Sequence, residues 1–318
     1  MSNPLVSIVI VSYNNQRVIF DCLESLKINS QIREYVVDNI SCDAFLQELA
    51  TKYPSVILHH NIENVGFSRA NNLALRLVET KYALILNSDT SVPRETIPAM
   101  VTYMEKHKEV GMVGCRVELM DGTLDKACRR SFPTPWVALS HYSFLDRLFP
   151  RSPFFSRYNV TYLPEEQTFE VDALVGAFML VRKEAMDEVG LFDEDYFMYG
   201  EDIDWCYRFK KFGWKIVYHP VQKIVHHKGA SSGLKKHSST MSLDALHSRK
   251  RTLAAFYSSM SIFYRKHYTH SYPLLVHCLV IGGIRIKYVQ SLLFLYGRYY
   301  SKNVNLSVRN FIRPILTR

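Results

Sequence analysis

Residues 81–90, KYALILNSDT, pass in one step from five apolar side chains, Tyr82 to Leu86, to the polar Asn87-Ser88-Asp89. A short apolar run with a sharp polar end suits a strand buried on both faces of a parallel sheet. In open α/β sheets, ligands bind in the crevice beyond the carboxyl ends of the strands. Asp89 then stands at the rim of that crevice, on the tip of a rigid element. The plainer alternative is that Asp89 only opens the turn before Pro93, a common use of aspartate.

The residues ahead of this stretch repeat its pattern. Val6–Ser12 is a β-branched run, and Tyr13-Asn14-Asn15 ends it. Val18, Ile19, Cys22, Leu23 and Leu26 follow at helical spacing. Tyr35-Val36-Val37 reads as a second strand ending in Asp38-Asn39-Ile40-Ser41, and Phe45, Leu46, Leu49 and Ala50 mark a helix. Val56-Ile57-Leu58 is a third strand, and Asn64-Val65-Gly66-Phe67-Ser68 leads into a helix bearing Ala70, Leu73, Ala74 and Leu77. Strands alternating with helices predict βαβ units, a mostly parallel sheet and an α/β fold with all four strand ends on one side. No GxxxxGK[ST] and no GxGxxG follows the first strand, which argues against a P-loop nucleotide or a dinucleotide. The strand ends offer Asp38 and Asp89 instead, with Arg69 on the helix between them. One carboxylate can accept from a base or ribose, and another can hold a divalent cation bridging a diphosphate. Arg69, near a helix N-terminus, could touch the same phosphates or simply lie on a solvated face.

Downstream, a helix is expected to about His107 and a strand over residues 112–118, with a tight turn at Asp121-Gly122. Residues 128–169 are irregular and aromatic-rich, with Arg129, Arg130, Arg147, Arg151 and Arg157 among them. So long a connection suits an acceptor pocket, a membrane-facing flap or a satellite hydrophobic cluster. Residues 170–182, EVDALVGAFMLVR, read as a strand or strand pair in which Gly176 admits a close neighbour. After a short helix closed by Gly190 comes the densest polar cluster, residues 192–204, FDEDYFMYGEDID, opening a helix at about Glu201. Helix dipoles favour acids in a first turn, yet Glu201, Asp202 and Asp204 exceed what capping requires. Two further strands are expected at residues 214–218 and 223–227, the second ending in His226-His227.

The net charge of +9 is uneven. Residues 233–318 hold 14 of the 39 basic residues and one of the 30 acids, Asp244, leaving 25 basic against 29 acidic groups elsewhere. This predicts two domains, 1–232 and 233–318, the second basic and helical. Basic residues among long apolar ones suit an anionic membrane surface better than nucleic acid. Two apolar runs, residues 272–284 and 288–300, flank Arg285 and Lys287. The first is shorter than the ~20 residues that span a bilayer, and Gly282-Gly283 weakens a helix interior, so interfacial attachment is expected. The alternative is a helical subdomain packed on the core or on a second copy of the chain, giving a homo-oligomer. Six scattered cysteines without a CxxC pair favour a reducing compartment, and the N-terminus lacks the charged n-region and cleavage site of a signal peptide.

Taken in order, SIVIVSYN, VVDNIS, NVGFSRANN, LNSD, VGAFMLVR, GLFDEDYFMYGEDIDWCYR and HHKGASS resemble family-2 glycosyltransferases of the GT-A fold, in their rhamnosyltransferase-like subgroup, over about residues 5–230. The resemblance implies an inverting transfer of a sugar from a nucleotide donor, dTDP-rhamnose or a UDP-hexose, to a polyprenyl-diphosphate-linked saccharide. It implies a peripheral place on the cytoplasmic face of the inner membrane. Asp38 would contact the nucleotide base or ribose. Asp89 would be the Mg²⁺- or Mn²⁺-binding acid of a DXD-like motif, in which Asn87 replaces the first aspartate. Asp202 would be the catalytic base, with Glu201 and Arg69 also at the donor. His226 would complete the metal site, ahead of His227. A sugar nucleotidyltransferase would need a Gly-rich basic loop after the first strand, which SYNNQRV does not supply. A non-catalytic nucleotide-sugar-binding protein would not need the GEDID cluster.

Overall fold

The computed structural model describes residues 4–13, 16–27, 32–227 and 243–316. Lys228 to Ser232 of the HHKGASS motif, Asn14-Asn15, and the expected boundary at 232/233 lie outside them. The chain divides into two compact units, Met1–Phe197 with Glu201–Gly233, and Met198–Gly200 with Leu234–Arg318.

The first unit opens with β1 (Val6–Ser12), α1 (Gln16–Leu26), β2 (Ile32–Asn39), α2 (Asp43–Lys52), β3 (Ile57–Asn61), α3 (Phe67–Leu75) and β4 (Tyr82–Asn87). It continues through β5 (Thr90–Ser91), α4 (Thr96–Lys106), β6 (Val110–Leu119), α5 (Pro135–Tyr142), α6 (Leu145–Leu148), β7 (Phe169–Glu170), β8 (Phe178–Arg182), α7 (Lys183–Val189), α8 (Glu201–Lys211) and β9 (Lys215–His226). The nine strands form one sheet in the order β3-β2-β1-β4-β8-β6-β9-β5, with β7 pairing β9. β3, β2, β1 and β4 are mutually parallel, as the alternating pattern requires. β8 is antiparallel to both its neighbours.

Ile8, Val9 and Ile10 of β1 and Ala83, Leu84 and Ile85 of β4 are fully buried, so both faces of these central strands are covered. Register fixes the rim. Val11 of β1 pairs both Val37 and Asn87, so Asp38 and Ser88 lie one step further along β2 and β4 at the same end. With β1 between them, those two strands lie about 10 Å apart.

The strands expected at 214–218 and 223–227 are one, β9, whose pairing with β6 is irregular between Gly114 and Arg116. The segment expected to be irregular contains α5 and α6, and a 3-10 turn at Lys126–Cys128 leads into it. The arginine of VGAFMLVR is structural. Arg182 is buried and donates to the carbonyls of Met104, His107 and Val110, closing the C-terminal end of α4.

The second unit is built on α9 (Leu243–Tyr268) and α10 (Leu274–Leu316). They pack antiparallel: Leu246 against Leu295, Tyr257 hydroxyl to Ser291 Oγ at 2.7 Å, and Tyr264 hydroxyl to His277 Nδ1 at 2.7 Å. The two apolar runs are not separated at Arg285 and Lys287, and Gly282-Gly283 does not interrupt the helix. Residues Leu274–Ser301 are thus long and apolar enough to cross a membrane, the one such helix among the described residues. The length ground for expecting interfacial attachment therefore fails.

Candidate active site

Asp89 follows β4 immediately, and backbone pairing fixes what it meets. Thr90 pairs His226 across β5 and β9, and the His227 amide donates to the Asp89 carbonyl at 2.8 Å. His226 Nε2 then lies 3.1 Å from Asp89 Oδ1 and 3.4 Å from Asn87 Nδ2. Both Asp89 and His226 are buried. Successive side chains of a strand leave on opposite faces. His227 accordingly turns the other way, its Nε2 3.0 Å from Ser91 Oγ. Behind the His226 ring, Asp125 Oδ2 is 3.5 Å from Nδ1. Burial alone would lower the imidazole pKa. The carboxylates of Asp125 and Asp89 outweigh it and push the value up to about 9.

Asp38 is fully buried at the end of β2. It accepts from the Ser41 amide at 2.8 Å, from the Ser41 hydroxyl at 2.5 Å, and lies 3.0 Å from His60 Nδ1 on β3. These bonds fix the β2–α2 turn, where Ile40 takes a positive φ of 68°. Arg69 is elsewhere in kind: its side chain is 61% exposed and paired with Glu194 at 3.5 Å. The rest of its motif braces the acidic loop. Phe67 donates to the Phe197 carbonyl at 2.7 Å, and Asn72 exchanges bonds with the Phe192 backbone at 2.9 and 3.1 Å. Gly66, at φ 89°, lies so close to Phe197 that an added Cβ would stand 2.5 Å from its carbonyl oxygen. The close neighbour of Gly176 is the Phe67 ring.

The loop so braced delivers α8, with Glu201, Asp202 and Asp204 in its first turn. Asp204 is structural: it is fully buried and bonded to Arg208 at 2.9 Å. Asp202 Oδ2 accepts from Arg130 Nη2 at 2.6 Å, and Oδ1 accepts from the Ile203 amide at 2.8 Å. Arg130 Nη2 also donates to the Leu174 carbonyl at 2.6 Å, and an antiparallel bridge with Ala173 fixes its backbone. Next to this ion pair, Glu201 is buried and its Oε2 has no hydrogen-bond partner. Burial, then the charge of Asp202, pushes the Glu201 carboxyl up to about 8. Of the two adjacent carboxyls, Asp202 is paired with a guanidinium and Glu201 is held neutral near pH 7.

The segment before β8 links the two clusters. Leu174 holds Arg130, and three residues later the Ala177 carbonyl accepts from the Asn87 amide at 3.3 Å. The structure thus brings Asp89, Asn87 and His226 together, joins Asp202 and Glu201 to the same segment, sets Asp38 two strands away, and leaves Arg69 on the surface.

The model of the family described as "Glycosyltransferase like family 2" matches residues 3–250. The chain belongs to this family. This glycosyltransferase is 29% identical over 243 residues to the N-acetylglucosaminyl-diphospho-decaprenol L-rhamnosyltransferase of Mycobacterium tuberculosis, covering 72% of this chain and 78% of the relative. It is 28% identical over 234 residues to the rhamnosyltransferase WbbL of Escherichia coli K12, covering 70% and 83%. Among solved structures it resembles GalNAc-T7 with UDP, GalNAc and Mn²⁺ at a TM-score of 0.55 and 15% identity, over 83% of this chain and half of that one. It also resembles the mannosyltransferase PcManGT of Pyrobaculum calidifontis with GDP-Man and Mn²⁺ at 0.50 and 15%, over 98% and 88%. At such identity these two structures bear on the fold alone. The transferase is a GT-A enzyme carrying a C-terminal helical region.

Arg130 and Asp125 are the polar partners that reading the sequence did not single out. Arg130 stood only as one basic residue of an aromatic segment. Its bridge to Ala173 joins residues far apart in sequence, and no local signal announces it.

Proposed function

We propose that this family-2 glycosyltransferase moves L-rhamnose from dTDP-rhamnose, with inversion, to a saccharide carried on a polyprenyl diphosphate, in the assembly of a surface polysaccharide such as O-antigen. The observation that carries the reaction type is the pairing of two buried acid sites around one segment, Asp89 with His226 and Asp202 with Arg130. The printed activities of the two relatives support the sugar and the lipid-linked acceptor. A UDP-hexose donor is the second reading, since the same two acid sites serve either nucleotide sugar.

Asp89 and His226 would fit a divalent cation once the imidazole gives up the proton that its raised pKa holds near neutral pH. Their donor atoms are 3.1 Å apart, and adjacent ligands at about 2.1 Å from a six-coordinate Mg²⁺ or Mn²⁺ stand about 3 Å apart. The Asp125 carboxylate 3.5 Å from Nδ1 also suits an imidazole whose far nitrogen is turned to a carboxylate. Among the described residues no three His, Cys, Asp or Glu side chains converge on one point. Magnesium is ordinarily held by one or two carboxylates, the part Asp89 would supply, plus substrate phosphates. Bound there, the cation would neutralise the diphosphate leaving group.

Asp202 takes the proton of the acceptor hydroxyl as its oxygen attacks the anomeric carbon and the bond to the diphosphate breaks. Arg130 orients Asp202 through their 2.6 Å hydrogen bond. Protonated Glu201 offers an O–H to a donor-sugar hydroxyl, and Asp38 receives the nucleoside. General-base help of this kind is worth roughly 10²–10⁴ in rate.

The C-terminal unit attaches the enzyme to the cytoplasmic face of the inner membrane. Leu275, Leu279, Ile286, Val289, Leu293 and Tyr300 recur at helical spacing on the exposed side of α10. Arg285 and Lys287 fall near the middle of its apolar stretch, where a spanning helix would bear a cost of roughly 2.5–3.5 kcal/mol for each. A helix lying in the interface keeps both at the head groups. Residues 1–232 therefore carry the catalytic groups, and residues 233–318 carry the membrane-attaching helix α10.

Thermal-shift titration with dTDP-rhamnose, UDP-glucose, UDP-GlcNAc and GDP-mannose, each with Mn²⁺, tests the donor. The largest rise in melting temperature is expected with dTDP-rhamnose; the largest rise with a UDP-sugar would move the assignment to a hexose.

A further inference from the structure

Residues 135–157 have their polarity turned outside in. The four buried side chains there are Val137, Ser140, Asp146 and Ser156. Leu139, Phe144, Leu148, Phe149 and Phe154 face outward, each between 46% and 69% exposed. Surfaces in contact with water are ordinarily built the other way round. The segment is nonetheless well tied. Ser156 donates its hydroxyl to the carbonyls of Asp146 and Phe149 at 3.0 and 2.6 Å, His141 Nδ1 meets Asp146 Oδ2 at 2.6 Å, and Trp136 Nε1 donates to the Phe154 carbonyl at 3.1 Å. Phe144 is displayed from a left-handed backbone conformation, φ 64°, that bulky side chains rarely adopt. The exposed apolar groups are thus held out by the fold.

The charge on this surface has one sign. Arg147, Arg151 and Arg157 are exposed, and the only acid of the segment, Asp146, is buried against His141. The structure assigns this surface to an anionic lipid bilayer, with the phenylalanine and leucine side chains entering the interface and the arginines meeting lipid phosphates. Phosphate suits the planar, multiply donating guanidinium, and aromatic rings suit the interface. A second copy of the chain is disfavoured as occupant. A two-fold contact through this patch would set the arginines of one copy against those of the other. The inference rests on the lipid-linked acceptor of the proposed function for its purpose: the catalytic unit would meet the membrane that carries its acceptor through a surface of its own, separate from α10.

The test is flotation of the full chain with vesicles of phosphatidylcholine alone or mixed with phosphatidylglycerol. The double variant Phe144→Ser/Leu148→Ser removes two half-exposed apolar side chains, each worth roughly tenfold in partitioning. The comparison is made in a chain whose α10 carries Leu275→Ser, Leu279→Ser and Leu293→Ser, so that this helix does not mask the loss, and binding to the mixed vesicles is expected to fall at least tenfold. Arg147→Gln/Arg151→Gln is expected to weaken binding to mixed vesicles several-fold and to leave binding to phosphatidylcholine unchanged. In the unmutated chain, brominated lipid is expected to quench a part of the tryptophan fluorescence that Trp136→Phe abolishes. Wild-type partitioning by both double variants, equal quenching with and without Trp136, or a change in oligomeric mass in place of vesicle binding would overturn the assignment. The vesicles contain neither donor nor acceptor. A failure here therefore leaves the transferase reading standing, and failed sugar transfer with intact flotation would count against that reading alone.

Discussion

Replacing Glu201 by glutamine tests the protonation state on which the acid pair depends. The side chain is buried, its Oε2 has no partner, and burial with the adjacent Asp202 charge pushes its carboxyl from 4.5 up to about 8. Between those values the folded chain keeps a proton that the unfolded chain has released. The stability attached to that proton is fully present below about pH 4.5 and is lost as pH rises through about 8. At about 1.4 kcal/mol per tenfold change in proton affinity, the loss is bounded at roughly 4–5 kcal/mol, and water entering around the ionised group reduces it to about half. Glutamine copies the neutral acid in shape and never ionises. Urea unfolding midpoints are to be measured from pH 5 to 9 for both proteins, following Trp205, which is buried in the same helix. The wild-type midpoint is expected to fall toward pH 9 relative to Glu201→Gln, with the curves converging near pH 5. Parallel curves across the range would refute the claim that Glu201 is held neutral.

Three further outcomes are expected. Arg130→Met leaves the Asp202 carboxylate buried without its ion pair and is expected to cost about 3–5 kcal/mol in stability, with Arg130→Lys recovering part of it; equal unfolding midpoints for all three proteins would contradict the pair's role. Asp89→Ala is expected to abolish the gain in donor affinity that Mn²⁺ gives, as read by calorimetry with and without the cation, and an unchanged gain would remove Asp89 from the metal site. Gly66→Ala is expected to destabilise by more than about 1 kcal/mol, because φ is positive and the Phe197 carbonyl occupies the space; a neutral thermal melt would show that the acidic loop does not need this approach.

The part of the fold legible in the sequence is the part written in local patterns. Buried strands β1 and β4 and the helices between the parallel strands follow from apolar runs and 3.6-residue spacing, and register then sets Asp38 and Asp89 at one end of the sheet. The family's motif order carried the pairing of Asp89 with His226, because β5 and β9 are joined by backbone bonds that neither segment reveals alone. Three features escaped reading. β9 looked like two strands because Pro220 and its neighbours break the apolar pattern, while pairing to β6 holds it continuous through an irregularity. α10 looked like two runs because Arg285, Lys287 and two glycines mark local weakness, yet packing on α9 carries the helix through. Arg130 could not be told from the other arginines of its segment, since its role depends on a bridge to Ala173 and on the length of its reach to Asp202.

The most direct measurement is product formation by the purified enzyme supplied with dTDP-rhamnose, a GlcNAc-diphosphate-polyprenol acceptor and Mn²⁺, followed by mass spectrometry of the lipid, with Asp202→Asn run beside the wild type. The account predicts addition of one deoxyhexose by the wild type, and by Asp202→Asn at least about 10²-fold slower turnover with donor affinity unchanged. Near-normal turnover by Asp202→Asn, or no glycosylated lipid from the wild type with any nucleotide sugar, would contradict it.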